Sequence, residues 1–138
     1  MWHQGQGAIE SIDQVRGELE RGGDDLAEWV DTVMPAVCFA STDNPDVVQQ
    51  FRSIITWVHA DQNFLTAAKD ECAACPDPWL VAYAKVAGRV LVTHERPAPD
   101  ARRRVPIPSI CDTFEVSYTN PFEMLRSLHA QFTWVSQA

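Results

Sequence analysis

The segment from Asp77 to Glu95 constrains the fold most. Asp77-Pro78 has the polar-then-proline pattern that opens helices: Asp77 reads as the cap and Pro78 as the first helical residue. Leu80, Val81, Ala84 and Val86 then carry a helix to Gly88, a residue that ends helices. Arg89-Val90-Leu91-Val92-Thr93 follows and reads as a strand buried on both faces, as in a parallel sheet. Helices alternate with short strands elsewhere too, so the pattern predicts an α/β fold with a mostly parallel sheet. In such folds ligands gather at the carboxyl ends of the strands, and Glu95 stands there.

The rest of the chain supports this reading. Ser11-Ile12-Asp13-Gln14 has the form of a capping box, with Ile12, Val15 and Leu19 on one helix face and Gly22-Gly23 as the stop. Asp24 to Val33 reads as a second helix, ended by Pro35. Residues 36–40 read as a brief buried strand, and Asn44-Pro45 as the cap and first residue of a helix. Val47, Val48, Phe51, Ile54, Ile55 and Val58 give that helix an apolar stripe at helical period. Asp61 is expected to cap the next helix, through Phe64, Leu65 and Ala68. After a loop at residues 96–105, the sequence predicts a short helix over 109–114, a strand over 116–118 and a final helix from Pro121. Residues 8–132 read as one domain, with 1–7 and 133–138 as flexible ends.

Composition narrows the partners. The chain holds 11 Lys and Arg against 19 Asp and Glu, a net charge of −8, so bulk attraction to nucleic acid is excluded. A nuclease is not, because clustered carboxylates hold metal ions. No apolar run approaches the roughly 20 residues of a membrane helix, so no membrane contact is expected. Met1 to Gly5 lacks a basic start and an apolar stretch, which predicts a cytoplasmic location with reduced cysteines.

Glu18, Asp77 and Glu95 are the candidate site residues by placement: a helix face, a helix start and a strand end. Each also has a plain structural reading as a solvated, capping or loop carboxylate. Arg102-Arg103-Arg104 is the basic cluster; it suits a phosphate grip, a solvated loop or a protein contact. Cys72-Ala73-Ala74-Cys75 has zinc-knuckle spacing, but a structural zinc site needs two more ligands. Trp2, Trp57 and Trp134 are candidates for stacking on bases, with core packing the simpler reading for Trp57.

The order of these pieces resembles the PIN-domain nucleases. Glu18-Leu19, Asp77 through Ala84, and Thr93-His94-Glu95 match that family's helical Glu, its Asp-opened helix and its acidic residue after a strand, with Glu for the usual Asp. His59-Ala60-Asp61, Asp77-Pro78-Trp79-Leu80, Val105-Pro106-Ile107-Pro108 and Phe122-Glu123-Met124-Leu125-Arg126 are similar to one PIN-like branch, DUF4411, read as the toxin half of toxin–antitoxin pairs. The resemblance implies a three-layer PIN-like fold and a metal-dependent endoribonuclease. Glu18, Asp77 and Glu95 would hold Mg²⁺ or Mn²⁺, Thr93 would orient the cluster by hydrogen bonding, and Arg102, Arg103 and Arg104 would contact RNA phosphate. That family opens with a strand ending in Asp; nothing of that form is read here, residues 1–7 being polar and glycine-rich, so the fold is expected to lack its N-terminal strand. Two functions therefore stand at this point: a nuclease, and a non-catalytic module that contacts an antitoxin or forms a homodimer. A zinc-stabilised adaptor through Cys72 and Cys75 is a third.

Overall fold

A computed structural model describes residues 10–21 and 39–127. Its elements are β1 (Ser11–Ile12), α1 (Asp13–Arg21), β2 (Phe39–Ala40), α2 (Pro45–Ala60), α3 (Thr66–Ala74), α4 (Asp77–Ala87), β3 (Leu91–Val92), α5 (Ile107–Phe114), β4 (Tyr118–Thr119) and α6 (Pro121–Ser127). The α/β class and the parallel pairing hold. β1 runs parallel to β2 with Ser11 opposite Phe39, and β3 runs parallel to β4 with Leu91 opposite Tyr118. Among the described residues these are two separate two-stranded sheets, where the sequence predicts one.

Helix α4 organises the molecule. It packs along α2 and against α3 and α5, and both β1 and β3 touch it. Its inner face is Val81, Ala82 and Ala84, all essentially inaccessible. The two alanines leave room for the neighbouring elements to approach closely. Opposite them α2 buries Val47, Ile54 and Val58 at spacings of seven and four, one stripe of a 3.6-residue helix. Phe51 of α2 stacks on Trp79 of α4 with ring centroids 3.9 Å apart and planes 8° from parallel. Trp57 meets Phe64 and Phe114 edge to face at 6.2 and 6.0 Å, so it is a packing residue. Among the described residues no helix is long and apolar enough to cross a membrane.

Several local expectations are corrected. Ser11 is a strand residue and does not cap α1, because its backbone is engaged in the pair with β2; the described chain thus opens with a short strand followed by Asp13, where an absent first strand is expected. The helix starts at Asp13, whose carboxylate accepts from the Gln14 amide at 2.8 Å, from the Thr42 hydroxyl at 2.8 Å and from the Thr42 amide at 3.1 Å. Asp61 closes α2 instead of opening α3: its amide donates to the Trp57 and Val58 carbonyls, and its carboxylate accepts from the Asn63 amide at 2.7 Å. That turn leaves Phe64 buried in a loop and Leu65 as the residue before α3. Strand β3 is shorter than Arg89–Thr93 and is not buried on both faces. Leu91 is buried and Val92 only half-buried; among the described residues β3 pairs with β4 alone. Asn44 caps α2 as expected, accepting from the Asp46 and Val47 amides at 2.8 and 3.4 Å. The predicted helix from Asp24 to Val33 lies outside the described residues, as do the predicted flexible ends, Trp2 and Trp134.

Candidate functional site

Asp77 is the first residue of α4, one place later than a cap. Pro76 takes the preceding position, so the Asp77 carboxylate is not spent on the helix's own amides. It turns into a cavity of about 240 Å³ lined by Glu18, Glu71, Cys72, Cys75, Asp77 and Arg104, among others. Glu18 reaches this cavity from α1, Glu71 from α3 and Arg104 from the loop before α5. Burial raises the Asp77 pKa; the Arg104 guanidinium and a hydrogen bond from Cys75 pull it down, and Glu18 and Glu71 push it up. The raised value means that the cost of burial and like charge outweighs the attraction to Arg104.

Glu95 sits beside this cavity, not in its wall. Its amide donates to the Thr93 hydroxyl at 3.1 Å, a local turn that fixes the carboxylate beyond the end of β3. One carboxylate oxygen accepts from the Ile107 amide at the start of α5, at 2.7 Å. The other is paired with the Arg104 guanidinium. Arg104 therefore touches both halves of the acidic region: it pairs with Glu95 and lines the cavity that holds Asp77 and Glu18.

The three arginines differ. The Arg102 side chain donates to the Asn63 carbonyl at 3.2 Å, and its own carbonyl accepts from the Leu65 amide at 2.9 Å, so Arg102 ties two loops together. Arg103 is exposed. Arg104 is the one engaged with carboxylates. A second cleft, of about 390 Å³, opens at the carboxyl ends of β3 and β4 between Thr93, Glu95, Arg96, Tyr118 and the exposed Phe122.

Glu71 is the functional candidate that sequence reasoning passed over. The signal was present: Glu71 lies one helical turn before Cys75, on the face that leads to Asp77. Cys72 and Cys75 are free thiols. Their mutual hydrogen bond pushes the Cys72 thiol up and pulls Cys75 down. Among the described residues no three His, Cys, Asp or Glu side chains are grouped so as to hold a metal ion. Glu18, Glu71 and Asp77 instead line one cavity from three helices, with the Arg104 side chain also on its wall.

Carboxylate oxygens are the donors that Mg²⁺ and Mn²⁺ prefer, and Mg²⁺ is commonly held by one or two of them together with waters and substrate phosphates. Glu18 and Asp77 supply such a pair, and the like charge around Asp77 is what a cation would relieve. The donor chemistry suits the ion, while the spacing of the described residues does not group three such donors.

The family described as Domain of unknown function (DUF4411) matches residues 2–132. No curated protein and no solved structure matches the chain. A match over nearly the whole sequence assigns the family: the chain belongs to the DUF4411 family.

Proposed function

We propose that the chain is a PIN-like, metal-dependent endoribonuclease of the cytoplasm and the toxin of a toxin–antitoxin pair. The observation that carries this reading is the meeting of Glu18, Glu71 and Asp77 on one cavity with Arg104 at its edge. Glu18 and Asp77 would hold Mg²⁺ or Mn²⁺. Such an ion supplies Lewis acidity toward a phosphate oxygen and lowers the pKa of a bound water. Arg104 donates from a planar fork that fits a phosphate, and orients the scissile group over the carboxylates. Thr93 and the Ile107 amide hold Glu95 at the rim. The open cleft beside Phe122 leaves room for the flanking nucleotide.

The test is cleavage of a single-stranded RNA by the purified chain with Mn²⁺, compared with Asp77→Asn. Manganese-dependent cleavage that disappears in the variant supports the reading. Cleavage indifferent to both overturns it.

A second reading is a non-catalytic PIN-like module that binds an antitoxin or a second copy of the chain. It is favoured by the two short parallel pairs, whose outer edges are unpaired among the described residues. Light scattering after size-exclusion chromatography separates the cases: a monomer with nuclease activity excludes this reading, and a stable inactive dimer supports it.

A further inference from the structure

We propose that Cys72 and Cys75 form a redox-modification site: a dithiol that a hydroperoxide closes to an intramolecular disulfide and a thiol reductant reopens. The chemistry requires neither a metal ion nor RNA, so it stands whether or not the chain is a nuclease.

Placement carries it. Cys72 lies in the last turn of α3, and Cys75 is the residue that ends that helix, one turn further on. Residues three apart on a helix are neighbours on one face. Here the neighbours are two free thiols, hydrogen-bonded to each other. The Cys75 thiol also reaches the Cys72 carbonyl, at 3.4 Å. A disulfide needs α-carbons about 4.4–6.8 Å apart, and one helical turn, about 5.4 Å in pitch, meets that span. The sulfurs must still close to about 2.0 Å. Cys75 can supply that movement, because its backbone has left the helix at φ −101° and ψ 165° and its amide meets the Cys72 carbonyl at a long 3.4 Å. Among the described residues no third donor joins the pair to make a metal group.

Exposure assigns the roles. Cys72 is 5% exposed and Cys75 is half-buried, and both border the cavity of about 240 Å³. Cys75 is therefore the sulfur that meets a peroxide first, and Cys72 the one that resolves the product. The Cys75 sulfur attacks the peroxide: a sulfur–oxygen bond forms, the oxygen–oxygen bond breaks, and the departing hydroxide leaves with the thiol proton as water. The Cys72 sulfur then attacks the Cys75 sulfenic acid: the disulfide forms, the sulfur–oxygen bond breaks, and hydroxide leaves with the Cys72 proton as a second water. Two thiols are oxidised by two electrons, and the peroxide is reduced by two. Oxidation also removes the Cys75 S–H, and with it the hydrogen bond that Cys75 gives Asp77, so the state of the pair alters the acidic cavity. Cys111 is a free thiol too, but it is fully buried and does not line this cavity, which makes it an internal control.

The experiment treats the folded full chain with hydrogen peroxide, blocks remaining thiols with iodoacetamide and reads the tryptic peptides by mass spectrometry. Trypsin releases residues 70–85 as one peptide that holds Cys72 and Cys75 and no other cysteine. That peptide is expected to come out two hydrogens lighter and unalkylated, and to regain both alkylation sites when dithiothreitol precedes the block. Both sites still alkylated after peroxide, or either cysteine joined to a different one, overturns the proposal. The wild-type chain supplies this readout, so no variant has to fold for it. The roles are tested with dimedone, a sulfenic-acid trap, on Cys72→Ser and Cys75→Ser, each verified as folded by circular dichroism. Cys72→Ser is expected to be trapped at Cys75, since nothing remains to resolve the sulfenic acid, and Cys75→Ser to stay unlabelled at the buried Cys72. Trapping at Cys72 alone, or at both positions equally, overturns the assignment of Cys75 as the attacking sulfur.

Discussion

Glu10 accepts a hydrogen bond from the Arg89 side chain at 2.7 Å, joining the entry of β1 to the entry of β3 across 79 residues of sequence. The Tyr83 hydroxyl of α4 donates to the same oxygen at 3.2 Å. The two strand pairs are not hydrogen-bonded to each other, so this link and their shared contact with α4 set their relative placement. Both charged side chains are about one-fifth exposed, which protects the pair from screening by salt. Arg89→Ala is expected to lower stability by about 1–2 kcal/mol, in the range for partly buried charged hydrogen bonds. Urea unfolding checks the value, and a double-mutant cycle with Glu10→Gln should return a coupling of the same sign.

Asp77 makes a prediction about pH. Its carboxyl keeps its proton to higher pH in the folded chain than in the unfolded one, chiefly through burial, with repulsion from Glu18 and Glu71 adding to it. Between the unfolded value, near 3.8, and the raised folded value, the native state binds more protons. Stability from this group therefore falls as pH rises through that window, and at neutral pH the ionised Asp77 is a net cost. Asp77→Asn is expected to raise the thermal midpoint at pH 7, with the gain shrinking as pH is lowered into the window. Thermal unfolding of both chains from pH 4 to 7 checks this. A site that sacrifices stability in this way is characteristic of residues kept for function.

The seam between α2 and α4 should dominate the folding energy. Ile54 is fully buried among the side chains that face α4. Truncation to Ala removes three carbons from a packed site and is expected to cost about 2–4 kcal/mol. Val48→Ala, on the half-buried edge of the same helix, should cost less than half as much. Chemical denaturation of the two variants measures the difference.

Two helix ends in left-handed backbone should respond oppositely to substitution. Gly88 closes α4 at φ 68°, and a Cβ there would meet no neighbour, so Gly88→Ala isolates the backbone term at a cost of about 1 kcal/mol. Glu115 closes α5 at φ 59° with a side chain that has no need of that conformation. Glu115→Gly is expected to stabilise the chain by up to about 1 kcal/mol, read as a shift in the denaturation midpoint.

Helices were legible where a local pattern matched a local cause. Asn44-Pro45 and the stripe from Val47 to Val58 required only a cap, a proline and a 3.6-residue period, and α2 follows them. Errors arose where two local uses competed for one polar group. Ser11 could cap a helix or pair in a strand, and pairing with Phe39, a residue 28 positions away, decided it. Asp61 could open α3 or turn the chain after α2, and the length of the intervening loop decided that. At the site, Asp77 and Glu95 were visible from their positions at a helix start and past a strand. Glu71 was passed over: its one mark was its place a helical turn before Cys75, and an exposed glutamate on a helix is otherwise commonplace.

The sequence by itself determined the α/β class, the parallel strands, the long α2 helix, the helix opened near Asp77 and the position of Glu95 beyond β3. These follow from periodicity and turn chemistry, which act over a few residues. Only the tertiary structure decided that Glu18, Glu71 and Asp77 share a cavity, that Arg102 braces a loop while Arg104 pairs with Glu95, and that Glu10 fastens β1 to β3. Electrostatic partners are chosen by distance in space, and the packing of α1, α3 and α4 brings together charges far apart along the chain.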